Sequence, residues 1–245
     1  MFNSIGSSVI KIDELDSTNL YLQQISKLQT MNEGVLVWTE RQLCGRGQQG
    51  NIWYSKEGES LTFSFILSPT FLMADEQFYL SKAFSIAVNQ YLVKKFQLKV
   101  QIKWPNDILL NGKKIAGILI ENNILGNKLK QSIVGIGINM NNQVFPEQLR
   151  ATSVLLNSAH KVDLRECIDE MIPFLNEMYS LVILKQWKEI DRLYFDSLYG
   201  YKKNLRFHSD GYFNGRIVRV DEVGYIYIET DAGVKKYTFK EVMFC

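Results

Sequence analysis

TERQLCGRGQQGNIWYS, residues 39–55, is the stretch on which the fold turns. A strand is expected just before it, at Gly34-Val35-Leu36-Val37-Trp38, and it feeds the backbone into Gly45-Arg46-Gly47-Gln48-Gln49-Gly50. Three glycines in six residues contribute little to a packed core. Glycine lowers the cost of unusual dihedrals and lets a backbone approach another molecule closely. The arginine among them adds a planar fork of donors suited to a carboxylate or a phosphate. Two readings stand at this point: a plain turn between strands, or a mobile, ligand-covering loop that binds an anionic group. The hexamer also fits G-x-G-x-x-G, but a dinucleotide site needs a helix opening at the last glycine. Here residues 51–58 are polar and aromatic and end at Gly58, and Leu61-Thr62-Phe63-Ser64-Phe65-Ile66-Leu67 then reads as a strand. Strand, loop, strand excludes the dinucleotide unit. A kinase glycine loop does lie between strands, but no H-R-D or D-F-G follows it. Only the rest of the chain separates the turn from the anion loop.

The rest is an ordinary globular composition. Of 245 residues, 46% are hydrophobic and 22% charged, which argues against disorder and allows one large domain plus a small one. The net charge of +2 gives no general field for nucleic acid or membrane. Three cysteines, Cys44, Cys167 and Cys245, show no disulfide or metal spacing, so a reducing cytoplasm is the expected location. Two histidines, His160 and His208, are too few for a His-based metal centre. No apolar run reaches membrane length, and no basic-then-apolar leader opens the chain.

Residues 1–8 read as a short, loosely held start, and 9–12 as a strand. Asp16-Ser17-Thr18-Asn19 offers several helix caps in a row ahead of Leu20, Leu22, Ile25 and Leu28. Those side chains either cap only, or also turn toward a ligand at the helix N-terminus. A buried helix is expected over 75–96, from Ala83, Phe84, Ala87, Val88, Tyr91 and Leu92. Two apolar runs around Asn111-Gly112 predict a β-hairpin from 108–110 to 113–121. Its ends concentrate polar residues: Lys103, Asn106, Asp107 and Lys114. The strand expected over 132–141 alternates Gly135 and Gly137 with β-branched residues, so one face lacks side chains and something must approach it closely. Asn139 ends that strand and can donate and accept at once, as adenine recognition requires. Two helices are expected over 164–198, the first kinked at Pro173. Beyond Tyr199-Gly200-Tyr201, short strands between Gly-containing turns indicate a small β-barrel.

Five motifs in order then carry a family resemblance: Asp16-Ser17-Thr18-Asn19; Gly45-Arg46-Gly47-Gln48-Gln49-Gly50 with Trp53; Lys103-Trp104-Pro105-Asn106-Asp107; Lys114-Ile115-Ala116-Gly117-Ile118-Leu119; and Gly135-Ile136-Gly137-Ile138-Asn139. Together they resemble the biotin protein ligases. The resemblance implies an α+β fold, a mixed sheet flanked by helices as in the class II aminoacyl-tRNA synthetases, with a small C-terminal SH3-like β-barrel. It divides the chain into a catalytic biotin- and ATP-binding domain, 1–200, and the barrel, 201–245. It also implies an ATP-dependent ligase that makes biotinyl-5′-adenylate and passes biotin to a lysine of a biotin carboxyl carrier protein, an acetyl-CoA carboxylase subunit. Magnesium would accompany ATP. No DNA or membrane partner is expected, and both monomer and homodimer remain open.

By that resemblance the catalytic set is Lys114, Arg46, Asp107 and Lys103. Lys114 meets the biotin carboxylate, Arg46 the carboxylate or phosphate side, and Lys103 balances phosphate charge. Asp107 orients the incoming lysine or removes its proton. Ser17, Thr18, Asn19 and Gln42 suit the ureido ring, and Gly45, Gly47, Gln48 and Gly117 complete the biotin-binding set. Trp53, Asn106, Asp107 and Asn139 line the adenylate region together with Arg46. Two departures matter. Many family members carry arginine where Gln48 stands, and neutral glutamine implies weaker retention of the adenylate. The ligase motifs begin within about twenty residues of Met1, too few for a helix-turn-helix domain, so no repressor activity is expected. Lipoate ligases and octanoyltransferases share the fold but lack the G-R-G-x-x-G and K-W-P-N-D combination. A non-catalytic biotin-binding module is the other alternative, and intact Arg46 and Lys114 weigh against it.

Overall fold

The computed structural model describes residues 4–245, with Gln49 described by its backbone alone. The chain opens with β1 (Ser8–Lys11), β2 (Glu14–Leu15) and α1 (Thr18–Leu28). Then come β3 (Val35–Thr39), β4 (Arg41–Gln42) and β5 (Ser60–Leu67), followed by α2 (Phe78–Phe96). Four strands follow: β6 (Val100–Lys103), β7 (Asp107–Leu110), β8 (Lys113–Leu125) and β9 (Lys128–Asn139). Helices α3 (Val154–Ser158), α4 (Leu164–Ile183) and α5 (Trp187–Ser197) lead to β10 (Asn204–His208), β11 (Tyr212–Val220), β12 (Ile226–Thr230), β13 (Gly233–Tyr237) and β14 (Met243–Phe244).

Seven strands form the main sheet in the order β1-β3-β5-β9-β8-β7-β6. β1 runs parallel to β3 and every other pairing is antiparallel, so the sheet is mixed. Side chains alternate between its faces. Leu36, Trp38, Phe63, Phe65, Val134, Ile136 and Ile138 belong to the core shared with α2, α4 and α5. The other face is sparser, with Val35, Val37, Ile66 and Ile133 packing on Leu22 of α1. A second, five-stranded sheet, β13-β12-β11-β10-β14, is antiparallel and consistent with the SH3-like unit.

The expected elements form, with three corrections. Residues 4–8 are not loosely held. Ile5 is buried, its N–H donates to Asn176 Oδ1 at 2.8 Å, and Asn176 Nδ2 donates back to the Ile5 carbonyl at 2.9 Å. Residues 1–3 of that segment lie outside the described residues. Helix α2 starts at Phe78 rather than residue 75, because Ala74–Glu76 winds as a tighter turn whose Glu76 caps Met73 N–H at 2.9 Å. The hairpin expected around Asn111-Gly112 forms as β7–β8, but β8 runs on to Leu125 and β9 begins at Lys128 rather than residue 132, since polar pairs such as Asn122–Ser132 continue the ladder after the apolar pattern stops. Helix α4 carries Pro173 inside one continuous span.

The C-terminal sheet is fastened to α2 and to the turn after β6 by donors that reach alternate carbonyls at the end of β11 and in the turn that follows it. Lys82 Nζ donates to Val220 O (2.9 Å), Phe78 N to Glu222 O (3.1 Å) and Trp104 Nε1 to Gly224 O (3.0 Å). Asp221 stiffens that turn by accepting from the amides of Val223, Gly224 and Tyr225.

Candidate active site

Alternation along three neighbouring strands builds the floor of a cavity. Register places Thr62 of β5, Gly137 of β9 and Gly117 of β8 side by side, and Ser64, Gly135 and Leu119 in the next row on the same face. Apart from Leu119, small and polar residues therefore occupy this stretch of the face opposite the helical core, which leaves room above them. Two side chains use that room. A methyl group on Gly135 would lie 2.0 Å from Asn19 Oδ1, and one on Gly137 2.5 Å from Trp53 Cε2. The bare face seen in the sequence is thus occupied by the helix-capping motif at one row and by the glycine-loop tryptophan at the next.

Helix α1 delivers the first wall. Ser17 caps it, with Leu20 N–H 3.5 Å from its hydroxyl, while Thr18 and Asn19 reach down to the sheet. All three are buried. Thr18 N–H donates to Gln42 Oε1 (3.0 Å), Thr18 Oγ1 meets Ser64 Oγ (2.6 Å), and Ser64 Oγ donates to Asn19 Oδ1 (2.6 Å). Asn19 Nδ2 donates to Glu121 Oε2 at 2.9 Å. Capping and site-lining are both present in this motif, divided among its residues. Buried polar groups at this density require partners, and they find them across a helix and three strands.

The glycine stretch supplies the roof. β4 pairs in parallel with β2, and the amides of Leu43 and Cys44 continue onto Leu15 O and Asp16 O, both at 2.8 Å. The loop therefore starts beside the capping motif. It then folds on itself: Gly47 N donates to Asn51 O (2.7 Å), Trp53 N to Gly45 O (2.9 Å), and Gln48–Gly50 forms one tight turn. No helix opens at Gly50, so the dinucleotide reading fails in the structure as it does in the sequence. Gly45 is required because a methyl group there would meet the Trp53 carbonyl oxygen at 2.3 Å.

Charged groups converge on the same space. Lys114 Nζ lies 2.6 Å from Asp107 Oδ1 and 5.6 Å from the centre of the Trp53 ring. Arg46 Nη2 lies 3.2 Å from Glu121 Oε1. Lys103 Nζ sits 5.2 Å from the Phe244 ring. Asn106 is locked by two bonds to Ile118: its Nδ2 donates to Ile118 O (2.7 Å), and its own carbonyl accepts from Ile118 N (3.0 Å). A single cavity of about 530 Å³ is lined by Ser17, Thr18, Asn19 and Gln42, by Arg46, Gly47, Gln48 and Trp53, and by Lys103, Asn106, Asp107, Lys114 and Gly117.

Two residues from the sequence reading do not line it. Gly45 packs behind Trp53. Asn139 is buried and donates to Thr152 O (3.0 Å) and Lys114 O (3.4 Å), holding residues 150–152 against β8. It borders a smaller adjoining cavity of about 160 Å³ that shares Trp53 and Lys114. Three groups of contributors were not singled out from sequence. Thr62 and Ser64 left a signal, polar residues at alternate positions in an otherwise apolar strand. Glu121 left none beyond its place after Leu119-Ile120. Phe239, Lys240, Val242, Met243 and Phe244 enter from the C-terminal sheet, and nothing in their local pattern marks them.

Comparison with known proteins shows the family and the fold. Residues 12–139 match the biotin/lipoate A/B protein ligase family. The bifunctional ligase/repressor BirA of Bacillus subtilis is 33% identical over 238 residues, covering 95% of this chain and 72% of that protein. The biotin–[acetyl-CoA-carboxylase] ligase of Paracoccus denitrificans is 30% identical over 164 residues, 64% of this chain and 67% of that one. Among solved structures, the Aquifex aeolicus biotin protein ligase in complex with biotin and ATP superposes with a TM-score of 0.81 at 28% identity, covering 97% of this chain and 98% of that one. The fold is the mixed, helix-flanked sheet of the biotin protein ligase structures, and in this chain it carries a cation-lined pocket on its open face. The chain belongs to the biotin/lipoate A/B protein ligase family.

Proposed function

We propose that the chain is an ATP-dependent biotin–protein ligase. The observation that carries this reading is the single cavity in which a buried polar pocket at the α1 N-terminus opens toward Lys114, Arg46 and Lys103. Its volume lies within the range of small-molecule sites. In the first step the biotin carboxylate oxygen attacks the α-phosphorus of ATP and pyrophosphate leaves. Both reactants are anionic, so their approach requires cations held beside the reacting atoms. Lys114 and Arg46 supply them, and Lys103 offsets phosphate charge. Ser17, Thr18, Asn19 and Gln42 provide donors and acceptors for the ureido ring. Trp53, Asn106 and Asp107 line the nucleotide end, and the loop that carries Trp53 keeps water from the mixed anhydride.

In the second step a carrier lysine, as the neutral amine, attacks the biotinyl carbonyl. AMP leaves with the bonding pair, and the amine's proton passes to Asp107. Asp107 pairs with Lys114 at 2.6 Å, and we assign it to orient the incoming lysine and take up that proton in the second step. Among the described residues, no group of three or more His, Cys, Asp or Glu could hold a metal. Lys103, Lys114 and Arg46 are donors only and cannot ligate a cation, so magnesium would be carried in on the triphosphate, where it would offset phosphate charge. The acceptor we assign is the biotin carboxyl carrier subunit of acetyl-CoA carboxylase. The free thiols of Cys44, Cys167 and Cys245 fit a reducing cytoplasm, and no described helix is long and apolar enough to cross a membrane.

The test is biotin-dependent release of pyrophosphate from ATP, followed by transfer of labelled biotin to a carrier domain. Binding without turnover would make the protein a biotin-binding module. Equal turnover with lipoate or octanoate would move it to the other branch of the family.

A further inference from the structure

Arg46 and Gln42 stand four residues apart, one in the glycine loop and one at its stem. A continuous run of polar contacts joins them through the sheet. Arg46 contacts Glu121 (3.2 Å), Glu121 accepts from Asn19 (2.9 Å), Asn19 accepts from Ser64 (2.6 Å), Ser64 meets Thr18 (2.6 Å), and the Thr18 amide reaches Gln42 (3.0 Å). The run closes a ring across α1, β5, β8 and the loop. Glu121 is its only charged member besides Arg46.

The geometry at Glu121 is uneven. One carboxylate oxygen serves Asn19 and the other serves one guanidinium nitrogen of Arg46, so the bidentate fork that makes such pairs strong is not formed. The Arg46 side chain is 42% exposed and the Glu121 side chain 24%. A single-point pair this open to water is weak. A ligand carboxylate or phosphate that offers two oxygens therefore displaces it.

We infer that Glu121 is a positioning residue. It fixes the guanidinium of Arg46 at the cavity wall in the ligand-free protein and competes with the ligand's anionic group for it. Its second oxygen ties that contact to Asn19. A ligand in the Ser17–Asn19 pocket thus acts on the same carboxylate that the loop arginine must leave. This inference rests on the ligase reading, in which the ligand is biotin.

The experiment is a double-substitution cycle read by calorimetric binding of free biotin. Glu121→Gln keeps the shape and an amide oxygen for Asn19 but removes the charge that holds Arg46. It is expected to tighten biotin binding by about 1.5- to 5-fold, the size of an exposed ion pair, and to lower KM for biotin without raising kcat. In an Arg46→Ala background the same change is expected to have no effect on biotin affinity. Weaker or unchanged binding in Glu121→Gln overturns the inference, since Glu121 is then a support rather than a competitor. Equal tightening in both backgrounds also overturns it, because Glu121 then acts through its field on the ligand and not through Arg46. A wild type that takes up no biotin overturns both this inference and the ligase reading. Biotin uptake with no Arg46-dependent change overturns the inference alone.

Discussion

Replacing Gly137 with alanine puts a methyl group where the indole of Trp53 rests. The added carbon would lie 2.5 Å from Cε2, 2.8 Å from Cζ2 and 3.0 Å from Cδ2. Ordinary contact begins near 3.4 Å, so ring and strand must separate by about 1 Å. The strand cannot yield easily, because Gly137 is paired on both sides, to Thr62 and to Gly117. A rigid indole cannot bend, and its backbone is tied to Gly45. The loop must lift as a unit. Overpacking of this kind costs about 1–3 kcal/mol, and here the strain falls on the segment that lines the nucleotide end. If that energy is drawn from nucleotide binding, KM for ATP rises about 5- to 150-fold, while biotin binding, one row away, changes little. ATP–pyrophosphate exchange measures the first and calorimetry the second. Gly135→Ala is the converse case, since its methyl group would meet Asn19 Oδ1 at 2.0 Å and the loss should appear in biotin affinity. Gly211→Ala, with open space around the new carbon, is the neutral control. Wild-type KM for ATP in Gly137→Ala at unchanged thermal stability would refute the seating of Trp53 on this strand.

Further outcomes follow from the same geometry. Lys114→Ala removes a preorganised cation and should lower the rate of adenylate formation about 10²- to 10³-fold, with the melting temperature preserved because the side chain is partly exposed; an adenylation rate within tenfold of wild type would count against its role. Gln48→Arg replaces a neutral contact by a charge-assisted one worth about 1 kcal/mol more, so the adenylate should leave about fivefold more slowly in a filter-binding chase; an unchanged or faster rate would remove Gln48 from the account of retention. Lys82→Met leaves Val220 O and the Asp191 carboxylate without their donor inside an aromatic surround of Tyr79, Tyr194 and Phe195. It should destabilise the protein by about 1–3 kcal/mol in urea unfolding, and an unchanged midpoint would show that this junction contributes nothing.

Much of the fold was readable in the chain because its signals are local. Val, Ile and Phe at alternate positions define β5 and β9, Asn111-Gly112 defines a hairpin turn, and apolar spacing in α2 and α4 defines buried helices. Even the open face was visible, since Gly135 and Gly137 follow the same period as their β-branched neighbours. The signals fail where a side chain's environment comes from far along the chain. Ile5 looks like a terminal residue until Asn176 secures it. The β8–β9 hairpin outruns its apolar pattern because its outer part is held by the ladder and by polar pairs. Asn139 carries the chemistry for adenine recognition, but its amide is engaged by the backbone of Thr152 and Lys114.

By itself, the order of residues determined which segments become strands and helices, and placed small side chains on one face of three of those strands. Period and turn chemistry act over a few residues, and the chain contains them directly. Only the packed molecule decided which groups share the space above that face: Asn19 on one glycine and Trp53 on the next, Glu121 beside Arg46, and Phe244 beside Lys103. Those contacts join positions tens to more than a hundred residues apart, and they exist only once the sheet register and the docking of the C-terminal strands have fixed where each side chain points.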